Sequence, residues 1–250
     1  MMDVSTADVL AQCSNEDLAP LVKYILEAST ESLSSHELYK SHAPDHHQYA
    51  AQILQEIRLF GGNSFVNLFR KEGPEYLEVV QDVASKFGVL KASKFTSVTA
   101  LEEELIQKIL RDALKKADGQ AREDMEAILK EAGLGQADLS ALLSGSSLVT
   151  LLGAKAASYL TYELSSIIAG AVAKQLLGVG ARVAGSAVLG RGIAALAGPI
   201  GWAITGVWTA IDLAGPAFRV TVPSVLHIAM LRQRVICAHA TAGMKEAFND

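Results

Sequence analysis

Four of the six histidines, His36, His42, His46 and His47, fall between positions 36 and 47. Neutral imidazoles at such spacing are the commonest raw material of a zinc site. Pro44, however, interrupts the helix that would put His42 and His46 on one face, and no Cys lies near. The cluster therefore reads as a solvated, pH-sensitive loop, with His42, His46 and His47 as the residues that would hold a metal if any did. His36-Glu37 opens like a zinc-protease helix, but Lys40 stands where that motif needs its second His.

The other chemistry-bearing patterns are incomplete as well. Glu102, Glu103 and Glu104 could supply acid–base chemistry, yet they fall in a helix first turn, where carboxylates complement the helix dipole. Gly185 to Gly192 has the glycines of a P-loop but neither the Lys nor the Ser/Thr that bind phosphate and magnesium, and no strand precedes it. There is no Gly-x-Ser-x-Gly elbow. Cys13 and Cys237 are widely separated and form no redox or metal motif, so two reduced thiols are expected. No cofactor and no catalytic constellation follow from these residues, and a non-enzymatic protein is expected.

What must be positioned instead is an apolar segment. Gly192 to Ile211 reads GIAALAGPIGWAITGVWTAI and carries no charge. Twenty helical residues span about 30 Å, the thickness of a bilayer core. Gly198-Pro199 divides the run, giving one helix ending near Ala197 and a second from Pro199 to about Leu213. Such a helix is apolar all round and needs enclosure by protein or lipid. The small-residue pairs Ala181/Gly185, Ala194/Gly198 and Ala210/Ala214 allow close helix contact. A buried helical hairpin and a membrane span both stay open. Trp202 and Trp208, with Arg191 and Arg219 flanking the apolar region, are the candidate contacts to a partner or a membrane surface.

Charge divides the chain. Residues 1–146 carry 14 basic and 23 acidic side chains, and residues 147–250 carry 8 and 4. The acidic front half would repel phosphate, so nucleic acid is not an expected partner. Two regions follow: an acidic helical domain over 1–146, and an apolar, Gly-rich helical region over 147–250 that either packs with it or stands apart. The N-terminus has no basic, apolar leader, and a cytoplasmic protein is expected, with a peripheral or partly inserted position at the inner membrane as a further expectation.

The periodicity is helical throughout, with no repeat at a fixed period and no run suited to a sheet. Ser14 and Asp17 form a capping box for a helix over Asn15–Ala28, whose stripe is Leu18, Leu21, Val22, Ile25 and Leu26. Residues 29–41 read as partly loop. Asp45 caps a helix carrying Tyr49, Ile53, Ile57 and Phe60, and a short helix follows from Ser64 to Lys71. Pro74 opens one with Leu77, Val80, Ala84 and Phe87. Thr99 and Glu102 read as the capping box of a helix ending at Lys115-Lys116. Helices over 122–132, 136–143 and 156–177 follow. Residues 219–222 are expected to be extended because of the restriction before Pro223, with a final helix to about His239. The fold class is all-α: a multi-helix bundle of amphipathic helices around or beside a Gly/Ala-rich apolar hairpin.

The stretches CSNEDLAPLVKYIL, ELYKSHAPDHHQYAAQILQEIRLFGGNSFVNLFR and GPAFRVTVPSVLHIAMLR resemble the YaaW family of bacterial proteins, with FGGNS and RVTVPSVLHIA the most specific parts. That family is grouped with ubiquinol–cytochrome c chaperone-like domains, an all-helical class associated with respiratory-complex assembly. The resemblance implies helices and an assembly role and supplies no catalytic residues. The resulting expectation is a chaperone-like binding or assembly protein whose apolar hairpin engages a hydrophobic protein partner or a membrane surface. The alternative is a membrane-inserting or pore-forming protein that hides the hairpin in its soluble form. A third reading, in which the hairpin is simply core, also stays open, as does the oligomeric state.

Overall fold

The structure is a computed structural model that describes residues 4–28, 32–61, 73–177, 198–201 and 216–247. Those residues are helical or connecting, with no strand among them. We number the helices α1 (Thr6–Ala11), α2 (Asn15–Ala28), α3 (Ser32–Ser35), α4 (Glu37–His42), α5 (Ala50–Gly61), α6 (Tyr76–Lys86), α7 (Val98–Lys116), α8 (Gly119–Glu131), α9 (Gln136–Leu143), α10 (Leu148–Leu152), α11 (Ala154–Leu177) and α12 (Pro216–Ala247). Single 3-10 turns occupy His46–Tyr49 and Ala92–Lys94.

Helix α2 starts where its local chemistry requires. The Ser14 N–H donates to Asp17 Oδ2 (2.8 Å) and the Asp17 N–H to Ser14 Oγ (3.2 Å), the reciprocal pair of a capping box. Its stripe of Leu18, Leu21, Val22 and Ile25 is buried. Tyr49, Ile53 and Ile57 are buried as their spacing requires. Asp45, however, makes no side-chain cap and precedes a 3-10 turn rather than the helix itself. Residues 32–42 form the short helices α3 and α4 where a loop was expected in part. The helix expected over 64–71, both halves of the Gly192–Ile211 pair except 198–201, and Arg191, Trp202 and Trp208 lie outside the described residues.

Two sequence expectations are corrected. Ser97, not Thr99, caps α7: its Oγ accepts from the Ala100 N–H at 3.2 Å, and Thr99 is a buried helical residue. Residues 219–222 are not extended, because α12 runs unbroken through Pro223. An interior Pro costs about 3 kcal/mol through the missing N–H and ring clash. Val220, Val222, Val225 and Leu226 flank it and are buried. Each contributes roughly 1.5–3 kcal/mol on burial, so tertiary packing outweighs the local restriction.

Helix α12 is the hub. It lies against α1, α2, α5, α6, α7 and α11. Its partner α11 runs antiparallel to it: the Cys237 thiol reaches the Ser158 carbonyl (3.4 Å), and Arg234 acts on Tyr162 one turn further along. Extending that pairing brings the end of α11 level with Phe218 at the start of α12. The helix ends that bracket residues 178–215 in the sequence, Leu177 and Pro216, therefore lie at the same end of the pair, and Ile200 between them is buried in the core. Among the described residues, no helix is long and apolar enough to cross a membrane.

Candidate functional site

The largest concentration of buried polar groups lies along the inner face of α12. Arg232 is 0% exposed, and so is Glu102 of α7. The Arg232 Nε donates to Glu102 Oε2 at 2.6 Å, and one terminal nitrogen reaches Thr6 Oγ1 at 2.7 Å. The other terminal nitrogen donates to the Val4 carbonyl. The Tyr76 hydroxyl donates to Glu102 Oε1 at 3.2 Å. Burial, and then the Glu102 carboxylate beside it, push the Tyr76 hydroxyl well above its ordinary pKa. One guanidinium thus joins the N-terminal segment, α7 and α12, with α6 held through Glu102. A planar fork of five donors suits that role.

A second pair sits nearer the surface. Both terminal nitrogens of Arg234 meet Asp17 at 2.6 Å, a bidentate pair on the capping residue of α2. Burial raises the Asp17 carboxyl, but hydrogen bonds from Arg234 and Ser14 outweigh it and hold the group below its ordinary range. Cys13 lies beside Arg234, yet burial lifts its thiol to about 11. It is therefore a poor nucleophile.

His227 completes the seam. It is buried, with its ring edge-on to Tyr24 and its Nε2 2.8 Å from the Asp17 carbonyl. A carbonyl only accepts, so Nε2 carries the proton. Nδ1 has no partner. Burial pushes the imidazole down to about 4, which keeps it neutral.

The glutamate triplet is distributed over three separate contacts. Glu102 holds Arg232, Glu103 accepts from Gln233 Nε2 at 3.2 Å, and Glu104 pairs with Arg111. Two of the three link α7 to α12. Gln107, one turn on, accepts the Leu148 N–H at 2.9 Å and satisfies the start of α10. These groups hold elements together, and their geometry presents no acid–base pair to a substrate.

The sequence-predicted residues lie elsewhere. His42 is exposed at the end of α4. His46 Nδ1 is hydrogen-bonded to the Tyr49 hydroxyl at 2.5 Å, and burial lowers its pKa. The exposed His47 is held through its backbone, whose N–H donates to Asn15 Oδ1 at 3.1 Å. His36 accepts the Leu38 N–H and serves as the cap of α4. Among the described residues, no group of three or more His, Cys, Asp or Glu is placed to hold a metal ion. Arg219 is exposed near the start of α12. Sequence reasoning passed over Arg232, Arg234 and His227, and read Asp17 only as a helix cap. The available signal was the presence of two arginines in the apolar run from Val225 to Ile236, since buried charges demand partners.

A UPF0174 protein of Helicobacter pylori (strain J99 / ATCC 700824) is 37% identical over 231 residues, covering 90% of this chain and 89% of the relative. The UPF0174 protein YaaW of Escherichia coli (strain K12) is 33% identical over 240 residues, covering 92% and 94%. No solved structure matches the chain. The family model described as ubiquinol–cytochrome C chaperone matches residues 45–229, and it takes in α5 to α11 and the first half of α12. On these grounds the chain belongs to the ubiquinol–cytochrome C chaperone family, together with the UPF0174 proteins that include YaaW.

Proposed function

We propose that this protein is a non-enzymatic, chaperone-like binding protein whose apolar sequence around 192–211 engages a hydrophobic segment of a protein partner. The observation that carries this reading is the composition of residues 178–215. They are nearly charge-free, and the helix ends that bracket them, Leu177 and Pro216, lie at one end of the α11–α12 pair. The opposite half of α12 is anchored by Arg232 and Arg234. Family membership supports the same assignment. Trp202 and Trp208 are the proposed apolar contacts, with Arg191 and Arg219 at their margins.

The test is tryptophan quenching. The chain has only Trp202 and Trp208, so their fluorescence reports on this region alone. Addition of an apolar polypeptide drawn from a respiratory membrane subunit is expected to shift their emission to the blue and reduce quenching by acrylamide. A polar control peptide is expected to do neither. Unchanged quenching at saturating apolar polypeptide contradicts the reading.

A further inference from the structure

We infer that the turn from Gly88 to Lys94, with Lys86 beside it, is a docking element for an anionic lipid surface. Leu90 at its tip is 86% exposed, the most exposed large apolar side chain among the described residues. Its neighbours are anchored: Val89 and Ala92 are buried, and the Val89 N–H donates to the Ala84 carbonyl at 2.9 Å. Gly88 (φ +75) and Lys91 (φ +58) both take the left-handed conformation, which an ordinary side chain at Lys91 adopts only at a cost. The backbone is therefore held so that Leu90 points away from the core.

Charge gives the partner. From Val83 to Leu101 the only ionisable side chains of either sign that are charged at neutral pH are Lys86, Lys91 and Lys94, and all three are exposed. Asp82 acts on Lys86 from the preceding turn, and Lys108, next to Gly88, is neutralised by Asp112. A protein interface depletes Lys and buries aromatic or Arg anchors in concave pockets. This segment carries one highly exposed aliphatic side chain and three exposed lysines. That combination fits a headgroup layer, where ammonium groups meet phosphates and the aliphatic group enters the boundary. Lys86 also lies over the Phe218 ring, 4.8 Å from its centroid, so the turn sits beside the start of α12. The inference does not rest on partner binding by the apolar sequence.

Sedimentation of the full chain with vesicles tests it. Binding is expected to phosphatidylcholine vesicles containing phosphatidylglycerol, to weaken with salt, and to be absent on phosphatidylcholine alone. Each lysine is worth about fivefold near an anionic surface, so combining Lys86→Gln, Lys91→Asn and Lys94→Gln is expected to weaken binding on the order of 100-fold. Asn is chosen at 91 because it tolerates the left-handed region. Leu90→Ser is expected to cost roughly tenfold with an unchanged melting temperature, since Leu90 makes little contact with the fold. Undiminished binding by the lysine variant, equal binding to neutral vesicles, or no binding to anionic ones overturns the inference. Binding of polyglutamate as tight as that of vesicles and indifferent to Leu90 also overturns it, in favour of an acidic protein partner. Tryptophan quenching by the apolar polypeptide, measured on the same variants, is expected to be unaffected, so the two proposals fail separately.

Discussion

Glu102 and Glu163 are both buried carboxyl groups on long helices, and they have opposite surroundings. Glu102 meets Arg232 and the Tyr76 hydroxyl, with hydrogen bonds on both oxygens. Among the described residues, Glu163 on α11 has one oxygen with no partner and is relieved only by the hydroxyl of the 57% exposed Tyr159. Burial raises the Glu163 carboxyl, the Tyr159 hydrogen bond offsetting it only in part. The first group is a permanent tie between α7 and α12. The second is a carboxyl that the fold tolerates more easily when protonated. Position in a helix therefore does not decide what a carboxylate does; a guanidinium within reach does.

The two regions should respond oppositely to mutation. Arg232→Met leaves Glu102 buried without its cation, and a loss of about 3–5 kcal/mol is expected by denaturant unfolding. Adding Glu102→Leu should recover much of that loss, because the double variant has no orphan charge. A double variant no more stable than the single would show that the cost comes from packing instead.

Protonation sharpens the contrast. The pKa of His227 is depressed from 6.5 to about 4, so its contribution is complete above pH 6.5 and is lost as pH falls through 4. That limb amounts to on the order of 3 kcal/mol. Stability profiles of His227→Gln should lack it between pH 6.5 and 4. Asp17, also depressed, contributes above its ordinary 3.8 and loses that contribution as pH falls through its lowered value. Asp17→Asn keeps the shape but loses the charge, and about 1–3 kcal/mol is expected at neutral pH, reduced towards the lower figure by the partial exposure of Arg234.

Glu163 runs the other way. Its folded pKa is raised, so its contribution is present below 4.5 and is lost as pH rises through the folded value. Glu163→Gln should match the parent in acid and equal or exceed its melting temperature at neutral pH. A variant less stable than the parent at both ends would place an unpaired cation near Glu163 and end the comparison. This is the smallest of the expected effects.

The parts of the fold readable from sequence are those set by neighbours in the chain. The Ser14–Asp17 box and the stripe from Leu18 to Ile25 lie within a few turns of each other, and α2 has the expected bounds. Helices α9 and α11 follow for the same reason. Glu102 was misread because a carboxylate early in a helix serves the dipole equally well, and its true partner is 130 positions away. The Arg219–Val222 segment was misread because the restriction before Pro223 is local, while the burial that overrides it comes from other helices. Of the proposed contact residues, only Arg219 lies within the described residues.

Protection of an aggregating apolar polypeptide by the intact chain separates the two roles most directly. The account predicts that Trp202→Ser combined with Trp208→Ser abolishes protection while the unfolding midpoint stays near the parent value. It also predicts that Asp17→Asn lowers the midpoint and leaves protection intact at temperatures where the variant is folded. Full protection by the tryptophan variant, or its loss in folded Asp17→Asn, would contradict the assignment of binding to the apolar sequence and of the buried charges to holding the bundle together.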